Sequence, residues 1–165
     1  MNNVTVNKSI RLSQHFTLGE MTRTGTGIPN IPSRVSIENL KRVCEWLEEL
    51  RYDYNTLYCL KPGEDYETSK SVEPVIITSG FRSEDANRAV GGSPSSNHLS
   101  GCAVDIRCAG FEQAVRYATI LLDIADDTRQ DYDELFIERK KAVRYWLHFA
   151  VRPENNRRKM MFLLK

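Results

Sequence analysis

The stretch Ser96-Asn97-His98-Leu99-Ser100-Gly101-Cys102-Ala103-Val104-Asp105-Ile106-Arg107 is a polar loop that leads directly into an alternating strand. Successive side chains of a strand point to opposite faces. The alternation places Cys102, Val104 and Ile106 on one face, and Ala103, Asp105 and Arg107 on the other. Asp105 thus interrupts a strand that reads as buried, where a lone carboxylate costs roughly several kcal/mol unless it is paired or binds a metal.

Amphipathic helices are predicted on both sides of this strand. Apolar residues recur at helical spacing over residues 36–54, and Ser36 is the expected N-cap. A second helix is predicted over residues 111–125, and its apolar side comprises Phe111, Ala114, Val115, Ala118, Leu121 and Leu122. Ser83 is expected to cap a short helix that stops before Gly91.

The remaining apolar runs predict strands. They cover residues 74–78, 132–138, 144–151 and 159–164, and the second and third form a hairpin around residues 139–143. Helices and strands mix without a regular βαβ repeat. We therefore expect an α+β fold with a mainly antiparallel central sheet and flanking helices. A length of 165 residues favours one domain, with a core over about residues 12–151.

The overall charge and hydropathy exclude some classes of partner. The formal net charge is +1, which provides no global field for nucleic acid or an anionic membrane. No stretch approaches the ~20 apolar residues of a membrane span. Residues 1–11 lack an apolar signal core, so we expect the protein to be cytoplasmic as synthesised. We also expect a monomer. The cysteines show no CxxC spacing and are expected to be free thiols.

Two of the three histidines lie where a metal ligand would be useful. His98 precedes Asp105 in the opening stretch, and His148 lies on the predicted strand 144–151. Two histidines and one aspartate suffice for a catalytic zinc, which keeps a fourth position for water. Spacing alone leaves a structural role open for each histidine. His15 has no partner in a motif, and we expect it to be a surface residue.

The neighbouring motifs carry a family resemblance. They are Ile77-Thr78-Ser79-Gly80-Phe81-Arg82-Ser83, Val90-Gly91-Gly92-Ser93 with Asn87 before it, Ser96–Asp105, and Tyr145-Trp146-Leu147-His148. Together they resemble the D-Ala-D-Ala carboxypeptidase-like zinc peptidases, in particular their small single-domain branch of phages and prophages. The resemblance covers roughly residues 12–151 and implies the hedgehog/D-Ala-D-Ala peptidase-like fold.

The resemblance also implies an activity. His98, Asp105 and His148 would bind one Zn²⁺ per chain. The substrate would be a peptidoglycan stem peptide, cut at a bond involving D-alanine by a carboxypeptidase or by an endolysin-type endopeptidase. Without a signal peptide, such an enzyme would act on the cell wall only after release from the cell.

Five further residues take roles from the same resemblance. Arg82 would lie in the cleft and pair with the substrate carboxylate or the developing oxyanion; the alternative is a structural ion pair with Glu84 or Asp85. Ser96 would hold loop geometry or contact substrate. Trp146 would wall the cleft or belong to the core. Ser79 and Asn87 are expected to hold loops.

The general base is the least defined part of the site. Many relatives place an acidic residue three positions before the last histidine ligand, where this chain has Tyr145. The branch that it most resembles has a glutamate on the preceding strand instead. Glu138 is the best match, and Glu134, on the same strand face, is the second candidate. Both could also be solvated hairpin residues.

Two other classes of function remain open from the sequence. A catalytically inactive wall-binding module of the same fold would hold a structural zinc. An iron oxygenase with two histidines and one carboxylate uses a similar ligand set. Such oxygenases usually place the first His and Asp two residues apart, whereas His98 and Asp105 are seven apart.

Overall fold

The computed structural model describes residues 7–140 and 144–164. The helices are α1 (Leu18–Met21), α2 (Arg34–Tyr58), α3 (Glu84–Ala89), a 3-10 helix (Asn97–Ser100) and α4 (Phe111–Thr128). The strands are β1 (Ile77–Ser79), β2 (Ala103–Cys108), β3 (Glu134–Lys140), β4 (Arg144–Ala150) and β5 (Lys159–Leu164).

The strands form one sheet in the order β1-β2-β4-β3-β5. The pairs β1–β2, β2–β4 and β3–β4 are antiparallel, and β5 lies parallel to β3. Helices α2 and α4 pack on each other and on the sheet. The predicted α+β class with a mainly antiparallel sheet is confirmed.

The two faces of the sheet differ in composition. One face is apolar and packs under the helices, and its fully buried side chains include Val104, Ile106, Leu135, Ile137, Leu147 and Phe149. The opposite face carries Asp105 on β2, which lies directly beside His148 on β4. The alternation predicted for β2 therefore separates core from site.

The helices differ from prediction mainly at their ends. Ser33, not Ser36, caps α2, because the Ser33 side chain accepts a hydrogen bond from the backbone of Ser36. Helix α4 was predicted to bury Phe111 and Val115, which are 45% and 37% exposed. The cap of α3 is Ser83, as predicted. Among the described residues, no helix combines the length and apolarity required to cross a membrane.

Strand bounds shift where pairing decides them. The run 74–78 contributes only its last residues to β1, which pairs Ile77 and Ser79 with β2. Strand β3 starts at Glu134 instead of residue 132, and β5 covers the predicted residues. Residues 141–143 of the predicted hairpin turn lie outside the described part of the chain. The four cysteines are free thiols, as expected.

Candidate metal centre

His98, Asp105 and His148 converge in the fold. Each contributes one donor atom to a group whose members all lie within 4.8 Å of one another. The Asp105 Oδ1 atom lies 3.3 Å from His98 Nε2 and 2.9 Å from His148 Nδ1. The carboxylate is thus the centre of the group, with one imidazole from the 3-10 helix and one from β4.

A left-handed turn brings His98 back over the face of β2. Gly101 ends the 3-10 helix with φ 75°, and a Cβ atom there would lie 2.5 Å from the carbonyl oxygen of Ser36. Glycine avoids both the conformational strain and the clash. At the other end, Ser96 Oγ accepts a hydrogen bond from the His98 backbone. This hydrogen bond is of the kind expected if Ser96 holds loop geometry, one of the two roles that the resemblance implies for it.

A backbone carbonyl fixes the orientation of the His98 ring. The His98 Nδ1 atom lies 2.6 Å from the carbonyl oxygen of Gly80, which can only accept a hydrogen bond. Nδ1 therefore carries the proton, and in the neutral ring Nε2 presents a lone pair to Asp105. Two acceptors facing each other at 3.3 Å require a proton or a cation between them. The donor set of His98, Asp105 and His148 thus fits Zn²⁺.

The site shifts the pKa of its ionisable groups. Burial raises the pKa of Asp105, but the two histidines outweigh burial and hold it well below its ordinary value. The hydrogen bond with His148 is the main reason why the pKa of Glu134 falls to about 2. Burial lowers the pKa of His148, yet its contacts with Asp105 and Glu134 raise it to about 9. At neutral pH these pKa values make Asp105 and Glu134 negatively charged and His148 positively charged.

Arg82 makes a contact that the sequence did not predict. Its Nη2 atom donates to Asp105 Oδ2 at 2.6 Å, and its Nε atom donates to Ser79 Oγ at 2.8 Å. The structure therefore pairs Arg82 with the carboxylate of the metal group and not with Glu84 or Asp85. The guanidinium holds the second oxygen of Asp105, which leaves Oδ1 directed at the histidines.

A cleft of about 480 Å³ opens over the three residues. The candidate residues Arg82, Ser96, Glu134, Glu138 and Trp146 all line it. Its other walls are Val90, Gly91, Gly92, Ser93, Ser95, Phe136 and Leu163. Asn87 supports this wall, because its side chain donates to the carbonyl of Ser93 at 2.8 Å. Of the two positions predicted for Trp146, the structure gives the cleft wall.

Glu134 and Glu138 lie at different places in this cleft. Glu134 Oε2 is 3.2 Å from His148 Nε2, the ring nitrogen that faces away from Asp105. Glu138 lies four residues further along β3, where it pairs in register with Trp146. Both glutamates line the cleft and are partly buried, not fully solvated.

The sequence did not predict a polar network that lies behind Glu134. Asp133 is fully buried and bonds to Asn97, Arg152 and Arg157. Asn97 and Arg157 also bond to Glu134. The signal was an acidic pair at a strand start and a basic run near the C-terminus, which by itself suggests only a solvated tail.

We expected His15 to be a surface residue without a partner, but the structure gives it one. Its ring Nδ1 and its backbone N–H both bond to the carboxylate of Glu48 on α2, at 2.6 and 2.7 Å. The contact ties the N-terminal segment to that helix. The remaining histidine of the chain therefore has a structural partner away from the metal group.

Comparison with known families agrees with this geometry. Residues 64–129 match the family model described as Peptidase M15. The match covers less than half of the chain and includes Arg82, His98 and Asp105, while His148 and both glutamates lie beyond it. No curated protein matches the chain. The match supports an M15-type zinc peptidase, and the grouped His98, Asp105 and His148 agree with it.

Proposed function

We propose that the protein is a zinc metallopeptidase that hydrolyses peptide bonds involving D-alanine in peptidoglycan stem peptides. The observation that carries the proposal is the convergence of His98, Asp105 and His148 on the floor of a cleft. The Peptidase M15 match supports the reaction class. The substrate class comes from the resemblance of the motifs around residues 77–105 and 145–148.

The residues of the cleft divide the chemistry among them. When bound, zinc supplies a Lewis acid that polarises the scissile carbonyl and makes water a stronger nucleophile. Glu138 lines the cleft and is assigned as general base. Its carboxylate takes the proton of the attacking water and passes it to the leaving amine.

Arg82 is assigned to charge stabilisation. A guanidinium has five N–H donors, and the contacts with Asp105 and Ser79 use two of them. Because Arg82 also lines the cleft, its other donors are assigned to the substrate carboxylate or to the developing oxyanion. Ser96 and Trp146 are assigned to the walls that hold the peptide. The proposal includes an endolysin-type role, in which the enzyme meets the wall after release.

The test combines metal content with product analysis. Elemental analysis of the purified protein should find one zinc per chain, and purified peptidoglycan should release muropeptides whose mass names the cleaved bond. The variant His98→Ala should lose both the zinc and the product. His15→Ala is the matched control, because it removes a histidine that bonds to Glu48 outside the cleft.

Each outcome has a clear reading. Zinc in the wild type without product would reject the peptidase and favour a wall-binding module with structural metal. Absence of zinc from the wild type would reject the central assignment. Equal loss of zinc in His15→Ala and His98→Ala would show that the loss reports damage to the fold.

A further inference from the structure

Glu134 is held in place by groups from three parts of the chain. Its Oε1 atom accepts from Arg157 at 2.6 Å. Its Oε2 atom accepts from Asn97 at 2.9 Å and lies 3.2 Å from His148 Nε2. Arg157 comes from the segment before β5, and Asn97 precedes His98 in the 3-10 helix. The carboxylate therefore has a fixed position relative to both histidines.

This position determines which nitrogen of His148 carries a proton. An ionised carboxylate can only accept hydrogen bonds, so the Nε2 atom facing Glu134 must be the N–H nitrogen. The other nitrogen, Nδ1, lies 2.9 Å from Asp105 Oδ1, inside the metal group. Without a metal the ring can donate from both nitrogens, to Asp105 and to Glu134. When a metal displaces the proton of Nδ1, the proton on Nε2 remains, and Nδ1 presents the lone pair that binds the metal.

A buried carboxylate in turn holds Asn97 and Arg157, the two groups that support Glu134. Asp133 is 0% exposed and bonds to Arg157 through both carboxylate oxygens, at 2.8 and 2.7 Å. Asn97 donates to Asp133 at 2.7 Å and accepts from Arg152 at 2.9 Å. A network of this kind is costly to bury unless each member is satisfied. It makes Glu134 a rigid element of the site.

We infer that Glu134 is a positioning residue, which orients His148 and fixes its proton on Nε2 so that Nδ1 binds the metal. This inference rests on the proposed metal site and deepens it. It separates the two glutamates of β3: Glu134 acts through a metal ligand, whereas Glu138 is assigned to the proton transfer itself. Partners of this type typically change metal affinity by about 10–100-fold when they are removed.

The experiment compares three variants, Glu134→Ala, Glu134→Gln and Glu138→Gln. Metal affinity is measured by chelator competition with Co²⁺, together with the visible absorption spectrum of the cobalt protein. Long-range ¹H–¹⁵N NMR of the imidazoles reports the proton position of His148 in the cobalt-free, zinc-loaded protein. The kinetic parameters kcat and KM are measured on peptidoglycan fragments.

The inference predicts a distinct pattern. Glu134→Ala should weaken cobalt binding by about 10–100-fold and alter the spectrum. Glu134→Gln should restore most of the affinity and keep kcat within about tenfold, because an amide oxygen still accepts from Nε2–H. Glu138→Gln should leave cobalt affinity within about twofold and lower kcat by about 100-fold or more.

The opposite pattern would overturn it. If Glu134→Ala and Glu134→Gln bind cobalt like the wild type while both lose kcat, Glu134 is the base. If Glu134→Ala does not fold, Glu134→Gln and the NMR measurement still decide, and a zinc-loaded His148 with its proton away from Nε2 would reject the inference. Failure of the proposed peptidase activity leaves the affinity and NMR results unaffected, so the two proposals fail separately.

Discussion

The backbone at Gly101 controls where His98 lies. Its positive φ of 75° turns the chain from the 3-10 helix into β2, and its missing side chain lets it approach the carbonyl of Ser36 on α2. Gly101 thus connects the segment that carries His98 to α2. A side chain at this position has to push apart the segment that carries His98 and the carbonyl of Ser36.

Replacement of Gly101 by alanine should be costly for this reason. The left-handed backbone and the 2.5 Å approach to Ser36 together should lower the free energy of unfolding by about 3 kcal/mol. Gly27→Ala is the matched control, since Gly27 has φ 70° but no atom within 4 Å of an added Cβ. It should cost only about 1 kcal/mol. Urea unfolding measures both, and equal losses would show that contact with Ser36 is unimportant.

Single residues were predictable where the signal was local. Asp105 interrupts an apolar alternation, and His98 lies seven residues before it in the same motif. The contact of Gly101 with Ser36 joins residues far apart in sequence, so no local pattern contains it. The pairing of Arg82 with Asp105 was missed for the same reason, since acidic neighbours in sequence were the obvious partners.

At the scale of elements, Glu48 fastens the N-terminal segment to α2. Its carboxylate accepts hydrogen bonds from Ser13 Oγ at 2.6 Å and from the backbone and ring of His15. Burial raises the pKa of Glu48, but these hydrogen bonds outweigh it and lower the pKa below 4.5. A carboxyl whose pKa is lowered by folding stabilises the protein above its ordinary pKa, and this stabilisation is lost as the pH falls.

Glu48→Gln should therefore destabilise the protein in a pH-dependent way. At pH 7 the loss should be about 1 kcal/mol, and the difference from wild type should shrink below about pH 4 as the carboxylate of the wild type is protonated. Glu49→Gln, one residue along the same helix and exposed, should change stability by about 0.5 kcal/mol or less. A difference that is constant from pH 3 to pH 7 would exclude the charge as its origin.

Whole elements were easier to predict than their ends. The apolar periodicity of α2 and α4 reflects burial, so it revealed both helices, but a cap or an extra turn depends on tertiary contacts. Strand β1 is shorter than its apolar run because its length is set by pairing with β2. Phe111 and Val115 on α4 show the same limit, because both fit the apolar periodicity and yet are exposed. The periodicity does not tell which apolar residues of the helix pack against the rest of the protein.

At the scale of the molecule, a bound metal should stabilise the entire fold. Its ligands come from two neighbouring strands and a 3-10 helix that contacts α2 and α3. Binding to the native state alone, at about a thousand times the dissociation constant, contributes about 4 kcal/mol. For a chain of this size, that corresponds to a rise in Tm of about 10 °C.

Calorimetry of the protein before and after removal of zinc with a chelator tests this expectation. The wild type should lose about 10 °C in Tm and regain it when zinc is added. In His98→Ala the chelator and zinc should change Tm by about 2 °C or less. A similar response of the wild type and His98→Ala would show that zinc stabilises the protein elsewhere.

The network around Glu134 is a property of the whole molecule, and this explains why the sequence ranked Glu138 before Glu134 without separating their roles. Parity placed Glu134 and Glu138 on the same face correctly, since both line the cleft. Parity contains no information about Arg157 or Asn97, which arrive from other elements. The distinction between the two glutamates became visible only with those contacts.

The order of the strands also has a consequence for how the protein is made. His98 and Asp105 leave the ribosome close together, but β4 follows α4 and β3, and its pairing with β2 joins residues 37 to 47 positions apart. Such non-local pairing forms late in folding. A nascent chain therefore cannot bring His98, Asp105 and His148 together until β4 has emerged and paired with β2, and metal capture should mark that pairing, before β5 completes the sheet.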